Sequence, residues 1–187
     1  MKLSHISTFV LFTVLAIAGC SKKSGNMNKE QTMSQNATLS EMNEATASNS
    51  NFMADLSGSN EVPDAVTTNA SGKAYFRVSN DSSRIYYTVD LAGADSVKMA
   101  HIHYGSSSQN GPIAVWLFPQ DASPTLVPGP VNGTLQEGVI ADSSLSGPFE
   151  GKKVIDLIHA MQHDSAYVQV HTAAHPEGEV RGQIKMK

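Results

Sequence analysis

Residues 74–91 read Ala74-Tyr75-Phe76-Arg77-Val78-Ser79-Asn80-Asp81-Ser82-Ser83-Arg84-Ile85-Tyr86-Tyr87-Thr88-Val89-Asp90-Leu91. Ala74, Phe76 and Val78 fall on one side of an extended chain. Ile85, Tyr87, Val89 and Leu91 do the same after a turn of Asn80-Asp81-Ser82-Ser83. Side chains of a strand point alternately to opposite faces, so this period of two predicts two half-buried strands. A short polar turn between them predicts a hairpin.

The same alternation extends in both directions. Phe52, Ala54 and Leu56 predict a strand upstream, and Val97 to Tyr104 another downstream. A Gly/Ser loop ends in Asn110-Gly111, and Pro112 opens the run Ile113 to Phe118, a position where proline is tolerated. A Pro-rich loop from Pro119 to Pro130 precedes a weaker strand, Thr134 to Ile140. Val154, Leu157, Ile158 and Met161 change the spacing to i, i+3, i+4, i+7, which predicts one helix from about Lys152 to Gln162. Two last strands follow, Ala166 to Thr172 and Glu179 to Met186, joined through Pro176-Glu177-Gly178. Many short strands with turns between them predict a mainly β domain, an antiparallel sandwich or barrel, with one short helix.

Residues 52–187 form this domain. They carry nine basic and fourteen acidic residues within a chain of net charge −4. That excess of negative charge excludes nucleic acid, and an anionic bilayer surface, as its partner. Residues 21–51 are Ser, Asn, Met, Glu, Gln and Thr with almost no large aliphatic or aromatic side chain. Such a segment buries too little apolar surface to offset the entropy of ordering, and it reads as a flexible tether.

The first 19 residues have a lysine, an apolar run from Ile6 to Ala18 and a small-residue end, the pattern of a secretory signal peptide. The run is too short to span a bilayer as a helix, which needs about 20 apolar residues. Cys20, the one cysteine, closes it. Ile17-Ala18-Gly19-Cys20 resembles the lipobox of bacterial lipoproteins, which implies cleavage before Cys20, diacylation of its sulfur and a membrane anchor. By the same resemblance, Ser21 after the cysteine implies the outer membrane or a bacterial cell surface. An acylated Cys20 leaves no thiol for a disulfide, a nucleophile or a metal.

Histidines carry the candidate chemistry. His101 and His103 leave one face of a strand with Cα atoms about 6.5–7 Å apart, close enough for both rings to meet one ion. His171 sits on the more polar face of its own strand, opposite Val168 and Val170. Imidazoles in a cysteine-free domain of an oxidising compartment point to zinc or Cu(II). The alternative is structural, with both ring nitrogens spent on hydrogen bonds that orient loops. His159 and His163, at i and i+4, read as a solvated helix surface, and His175 as a turn residue near His171. Arg181 and Glu179 share a strand face. They form either a surface ion pair worth about 0–1 kcal/mol, or a site in which Arg181 clamps an anion or carbonyl beside the histidines.

Five stretches resemble the CHRD domain, a module named from chordin: Asn60-Glu61-Val62-Pro63, Ala100-His101-Ile102-His103-Tyr104-Gly105, Asn110-Gly111-Pro112, Tyr167-Val168-Gln169-Val170-His171-Thr172, and Gly178-Glu179-Val180-Arg181-Gly182-Gln183-Ile184. The resemblance covers Phe52 to about Ile184. It implies an extracytoplasmic β-sandwich module and no settled activity. A weaker likeness to copper–zinc superoxide dismutase implies a Greek-key sandwich with His101, His103 and His171 as copper ligands and Arg181 as a guiding cation. The loop after His103, Gly-Ser-Ser-Ser-Gln-Asn-Gly, lacks the zinc ligands of that enzyme, so dismutation is not implied.

No Gly-x-Ser-x-Gly elbow and no phosphate-cradling Gly loop with lysine occurs. The expectation is therefore a non-enzymatic module anchored to the cell envelope through Cys20, binding an extracellular protein or glycan. Two alternatives share the histidines: a lipoprotein that holds copper or zinc, and a redox enzyme that uses such a metal.

Overall fold

The computed structural model describes residues 50–123 and 125–187. The signal peptide, Cys20, nearly all of the tether and His5 lie outside the described residues. Among the described residues no helix is long and apolar enough to cross a membrane.

Among the described residues, eight strands and one α-helix follow in order: β1 (Phe52–Ser57), β2 (Ser71–Val78), β3 (Ile85–Tyr104), β4 (Ile113–Phe118), β5 (Val127–Ile140), α1 (Val154–Gln162), β6 (Ala166–Thr172), β7 (Val180–Gln183) and β8 (Lys185–Met186). The domain is mainly β, and every pairing is antiparallel. β1, β2, β3, β6 and β7 pair in a closed circuit, while β4 and β5 add to β3 and β8 to β1. Closure leaves these five strands without a free edge. The hairpin read from residues 74–91 is β2 with β3, in register Ala74 with Val89 and Phe76 with Tyr87.

The inward side chains form the core. Ala54, Ala74 and Val89 lie in one row of paired residues, and Ala100, Val170 and Val180 in another; all are buried. Each large aliphatic side chain buried here contributes about 1.5–3 kcal/mol. On α1, Val154, Leu157, Ile158 and Met161 are buried and the helix packs on β6 and β8. Its first turn begins two residues later than the periodicity predicts, where Asp156 Oδ2 accepts a hydrogen bond from the Lys153 amide at 3.0 Å.

Three boundaries differ from the sequence reading. Ile85–Leu91 and Val97–Tyr104 are one continuous strand. Its register shifts between Ala92 and Ala94 and between Asp95 and Val97, where Gly93 and Ser96 have φ of +72° and +54°. Such irregularities bend a strand without ending it. The first half of β3 can therefore pair with β2 and β5, and the second with β4 and β6. The last strand, by contrast, is broken at the buried Ile184 into β7 and β8. β5 starts at Val127, inside the Pro-rich loop, because it pairs on β3 alone and its prolines need donate nothing on the outer side.

Candidate metal centre

The outward face of the β3–β6–β7 wall is where the motif residues meet. His101 and His103 stand opposite Gln169 and Tyr167 of β6, and Gln169 in turn opposite Arg181 of β7. This face turns away from the apolar core, yet it is also buried. The loop after β1, the loop after β3 and the turn after β6 are all bonded to its side chains. A polar face thus becomes a second, polar interior.

His101, His103 and His171 are 2%, 7% and 7% exposed, and one nitrogen from each lies within 4.8 Å of the others. His101 Nδ1 is 3.2 Å from His171 Nε2. Two nitrogens bound to one ion at about 2.0–2.1 Å would stand roughly 3.3–3.5 Å apart, so this pair lies within a few tenths of an ångström of the separation that an ion requires.

The protonation pattern follows from the partners. His103 Nδ1 donates to the Gly111 carbonyl at 2.9 Å, and His171 Nδ1 to the Pro176 carbonyl at 3.0 Å. A carbonyl can only accept, so both hydrogens sit on Nδ1 and both Nε2 atoms carry lone pairs. Backbone anchoring of the remote ring nitrogen is how metal-binding imidazoles are oriented. His103 Nε2 and His101 Nε2 are buried with no hydrogen-bond partner. Burial pushes His101 down to about 3, helped by the neighbouring His171 and His103. It pushes His103 down to about 4, against the hydrogen bond to Gly111, and lowers His171 as well. All three rings are therefore neutral at pH 7, the state that binds metal. The donor set fits copper or zinc.

Around the rings, His103 stacks on Tyr167, with centroids 5.0 Å apart and planes at 7°, and Trp116 meets His101 edge-on at 4.3 Å. The Arg181 guanidinium lies 3.5 Å from the centroid of the Tyr167 ring. Its Nη2 donates to the carbonyls of Ser106 (2.7 Å) and Gln109 (2.9 Å), and its Nη1 to Asn110 Oδ1 (2.8 Å). Tyr167 Oη accepts from the Gly111 amide at 3.0 Å. Arg181 and Tyr167 thus pin down the loop that presents the Gly111 carbonyl to His103. Gly111 has no room for a side chain, since a Cβ would overlap the Tyr104 carbonyl oxygen.

The surface ion pair between Arg181 and Glu179 is not formed. Arg181 is 1% exposed and clamps carbonyls, and Glu179 Oε1 accepts instead from Thr68 Oγ1 at 2.5 Å. The reason is tertiary: the loop after β3 folds over the strand face and supplies carbonyls where the sequence suggests solvent. The His175 side chain stays outside the three-histidine group; its backbone closes the turn by pairing with Thr172. His159 is exposed on α1, and His163 is exposed just past its C-terminal end.

Glu61 is the residue that sequence reasoning passed over. It is buried, Gln169 Nε2 donates to its Oε2 at 2.5 Å, and its Oε1 has no partner. Burial raises its pKa to about 7, against the pull of Gln169 and Arg181. Its place in the Asn60-Glu61-Val62-Pro63 motif was the available signal, as Asn110-Gly111-Pro112 was for the loop.

No curated protein and no solved structure matches the chain. The family model of the CHRD domain matches residues 52–184, a span that holds β1 to β7, the three histidines, Glu61 and Arg181. Over those residues, the chain belongs to the CHRD domain family.

Proposed function

We propose that this chain is an extracytoplasmic binding module whose ligand is a metal ion, copper or zinc, held by His101, His103 and His171. The convergence of three neutral, buried imidazoles carries this reading, two of them with lone pairs set by backbone carbonyls. A purely structural role leaves two buried ring nitrogens unmet, at about 1–3 kcal/mol each. An ion shared by His101 Nδ1, His171 Nε2 and His103 Nε2 satisfies the His103 nitrogen. Deep burial favours holding an ion over turning over a substrate, so the module is read as non-enzymatic and the redox alternative ranks behind it.

The test is metal content of the purified domain beside His101→Ala and His171→Ala. Stoichiometric copper or zinc, lost in both variants, supports the site; metal content indifferent to both substitutions rejects it. A dismutase assay on loaded protein then separates holding from redox turnover.

The anchor belongs to the same proposal and is supported by the sequence Ile17-Ala18-Gly19-Cys20. Cys20→Ala is expected to shift the protein from the envelope membrane fraction to the soluble fraction. The closed circuit of strands supports reading the fold as a five-stranded antiparallel barrel with added strands, close to the expected sandwich but with its edges joined.

A second reading, recognition of an extracellular protein or glycan, is favoured by one observation. A cleft of about 350 Å³ opens between Tyr104, Phe149, the α1 residues Asp156 and His159, and His163 just after the helix. Tyr104 is 43% exposed there and meets Phe149 edge-on at 5.4 Å. Pull-down from native envelope with wild type and Tyr104→Ala tests it; capture indifferent to Tyr104 rejects this cleft.

A further inference from the structure

We propose that the ion this centre is built to hold is monovalent copper, Cu(I), bound by three imidazole nitrogens without a water ligand. The inference rests on the three-histidine reading and names its ligand.

Charge is the first ground. Among the described residues the group consists of His101, His103 and His171, with no carboxylate or thiolate in it. The carboxylates of the neighbouring loops and strand are outside the group: Glu61 is held by Gln169, Glu179 by Thr68, and the exposed Glu177 acts on His171 only through its charge across solvent. An ion bound here keeps its full charge in a buried wall that also holds the Arg181 guanidinium against Tyr167, the ring on which His103 stacks. The cost of burying an ion rises with the square of its charge, so a divalent ion is penalised about fourfold relative to a monovalent ion of like size.

Coordination number is the second. Zinc is almost always four-coordinate, and with three protein ligands it takes water as the fourth. Cu(II) prefers a tetragonal site with at least four donors. His101 Nε2 and His103 Nε2 are buried from solvent, and Trp116 and Tyr167 close over the two rings. A water-bearing ion would have to open this packing. Cu(I) has a filled d shell and accepts two or three ligands with no water. The His101 and His171 nitrogens, 3.2 Å apart, already bracket such an ion, and His103 completes a three-nitrogen set. The ion enters already reduced, and no electron transfer is part of the proposal.

The experiment uses residues 50–187, within which every strand pairing and the described core lie and from which the only thiol, Cys20, is absent. Cu(I) is supplied anaerobically as its acetonitrile complex and titrated against bathocuproine disulfonate, and Zn²⁺ is titrated against a chromophoric chelator. One Cu(I) per chain is expected, bound about a hundredfold or more tighter than Zn²⁺, with X-ray absorption showing three nitrogen neighbours and no sulfur. Zn²⁺ binding as tight as Cu(I) overturns the inference and leaves the three-histidine site standing. So does a sulfur or a fourth light-atom neighbour on copper, a measurement on the unsubstituted protein that needs no variant to fold. Absence of binding by either ion, or binding unchanged in His103→Ala and His171→Ala, removes the site itself.

Discussion

His101 Nδ1 stands 3.2 Å from His171 Nε2, although seventy positions separate the two residues in the chain. The pairing of β3 with β6 makes them near neighbours: His101 lies opposite Gln169, and His171 follows two residues later on the same face. His171 Nε2 accepts from His101 Nδ1–H, because the only hydrogen on the His171 ring is spent on Pro176. Ion binding must expel the hydrogen from His101 Nδ1 or re-orient that ring.

Metal should stabilise the domain. A ligand that binds only the folded state at a hundred times its Kd adds about 2.7 kcal/mol. One equivalent of bound ion should therefore raise the midpoint of thermal unfolding by several degrees. His171→Ala should abolish the increase, as calorimetry of the two proteins with and without ion will show.

Acid should weaken both the fold and the site. The folded-state pKa values of His101 and His103, about 3 and 4, lie below the ordinary histidine value because burial penalises the charged ring. The unfolded chain thus binds more protons than the folded one over this window. Stability from these groups is fully present above about pH 6.5 and is lost as the pH falls towards 3–4. Urea unfolding midpoints measured from pH 7.5 to 4 should decline, and metal should dissociate in the same range. A flat profile would mean that the rings are hydrated.

Glu61 works in the opposite direction. Its folded-state pKa is raised to about 7, so its contribution is present below about pH 4.5 and is lost as the pH rises through 7. Glu61→Gln keeps an acceptor for Gln169 Nε2 and removes the titration. The substitution should leave stability at pH 4.5 nearly unchanged and increase it at pH 8 by about 1–3 kcal/mol, read from urea titrations at the two pH values.

Arg181→Ala deletes the donors to Ser106, Gln109 and Asn110. A hydrogen bond to a charged group contributes about 1.5–3 kcal/mol, so a loss of several kcal/mol is expected in denaturant unfolding. Arg181→Lys should recover only part of it, because an ammonium has no planar fork to reach three acceptors. Both variants should weaken metal binding, since the loop they release holds the Gly111 carbonyl on His103.

Tyr167→Phe separates packing from hydrogen bonding. It removes the acceptor of the Gly111 amide while keeping the ring under His103 and Arg181. About 1 kcal/mol of stability should be lost, with metal affinity reduced less than tenfold. A larger loss of affinity would place the Gly111 contact, and not the stack, in control of His103.

Elements with a clean period were legible in the chain. Ala166–Thr172 and Ile113–Phe118 are strands at the predicted bounds, and Val154, Leu157, Ile158 and Met161 lie on the buried side of a helix. Ser96 escaped because a non-glycine residue at positive φ leaves no signal in composition; a bend was read as a gap between two strands. For Arg181 the sequence offers both a surface ion pair and a carbonyl clamp, and only the fold selects the clamp. Alternation says which face of β7 it occupies, but not that a loop some seventy residues earlier covers that face.

The order of side chains along each strand was enough to set a mainly β domain with one helix, and to place His101 beside His103 on one face. Period-two geometry is local, so it needs no knowledge of neighbours. Which strands lie side by side is set by closure of the sheet and by burial of its inner face, and these involve the whole domain. Tertiary structure alone therefore brought His171 to the other two rings, turned Arg181 inward as a clamp on the loop, and buried Glu61 against Gln169.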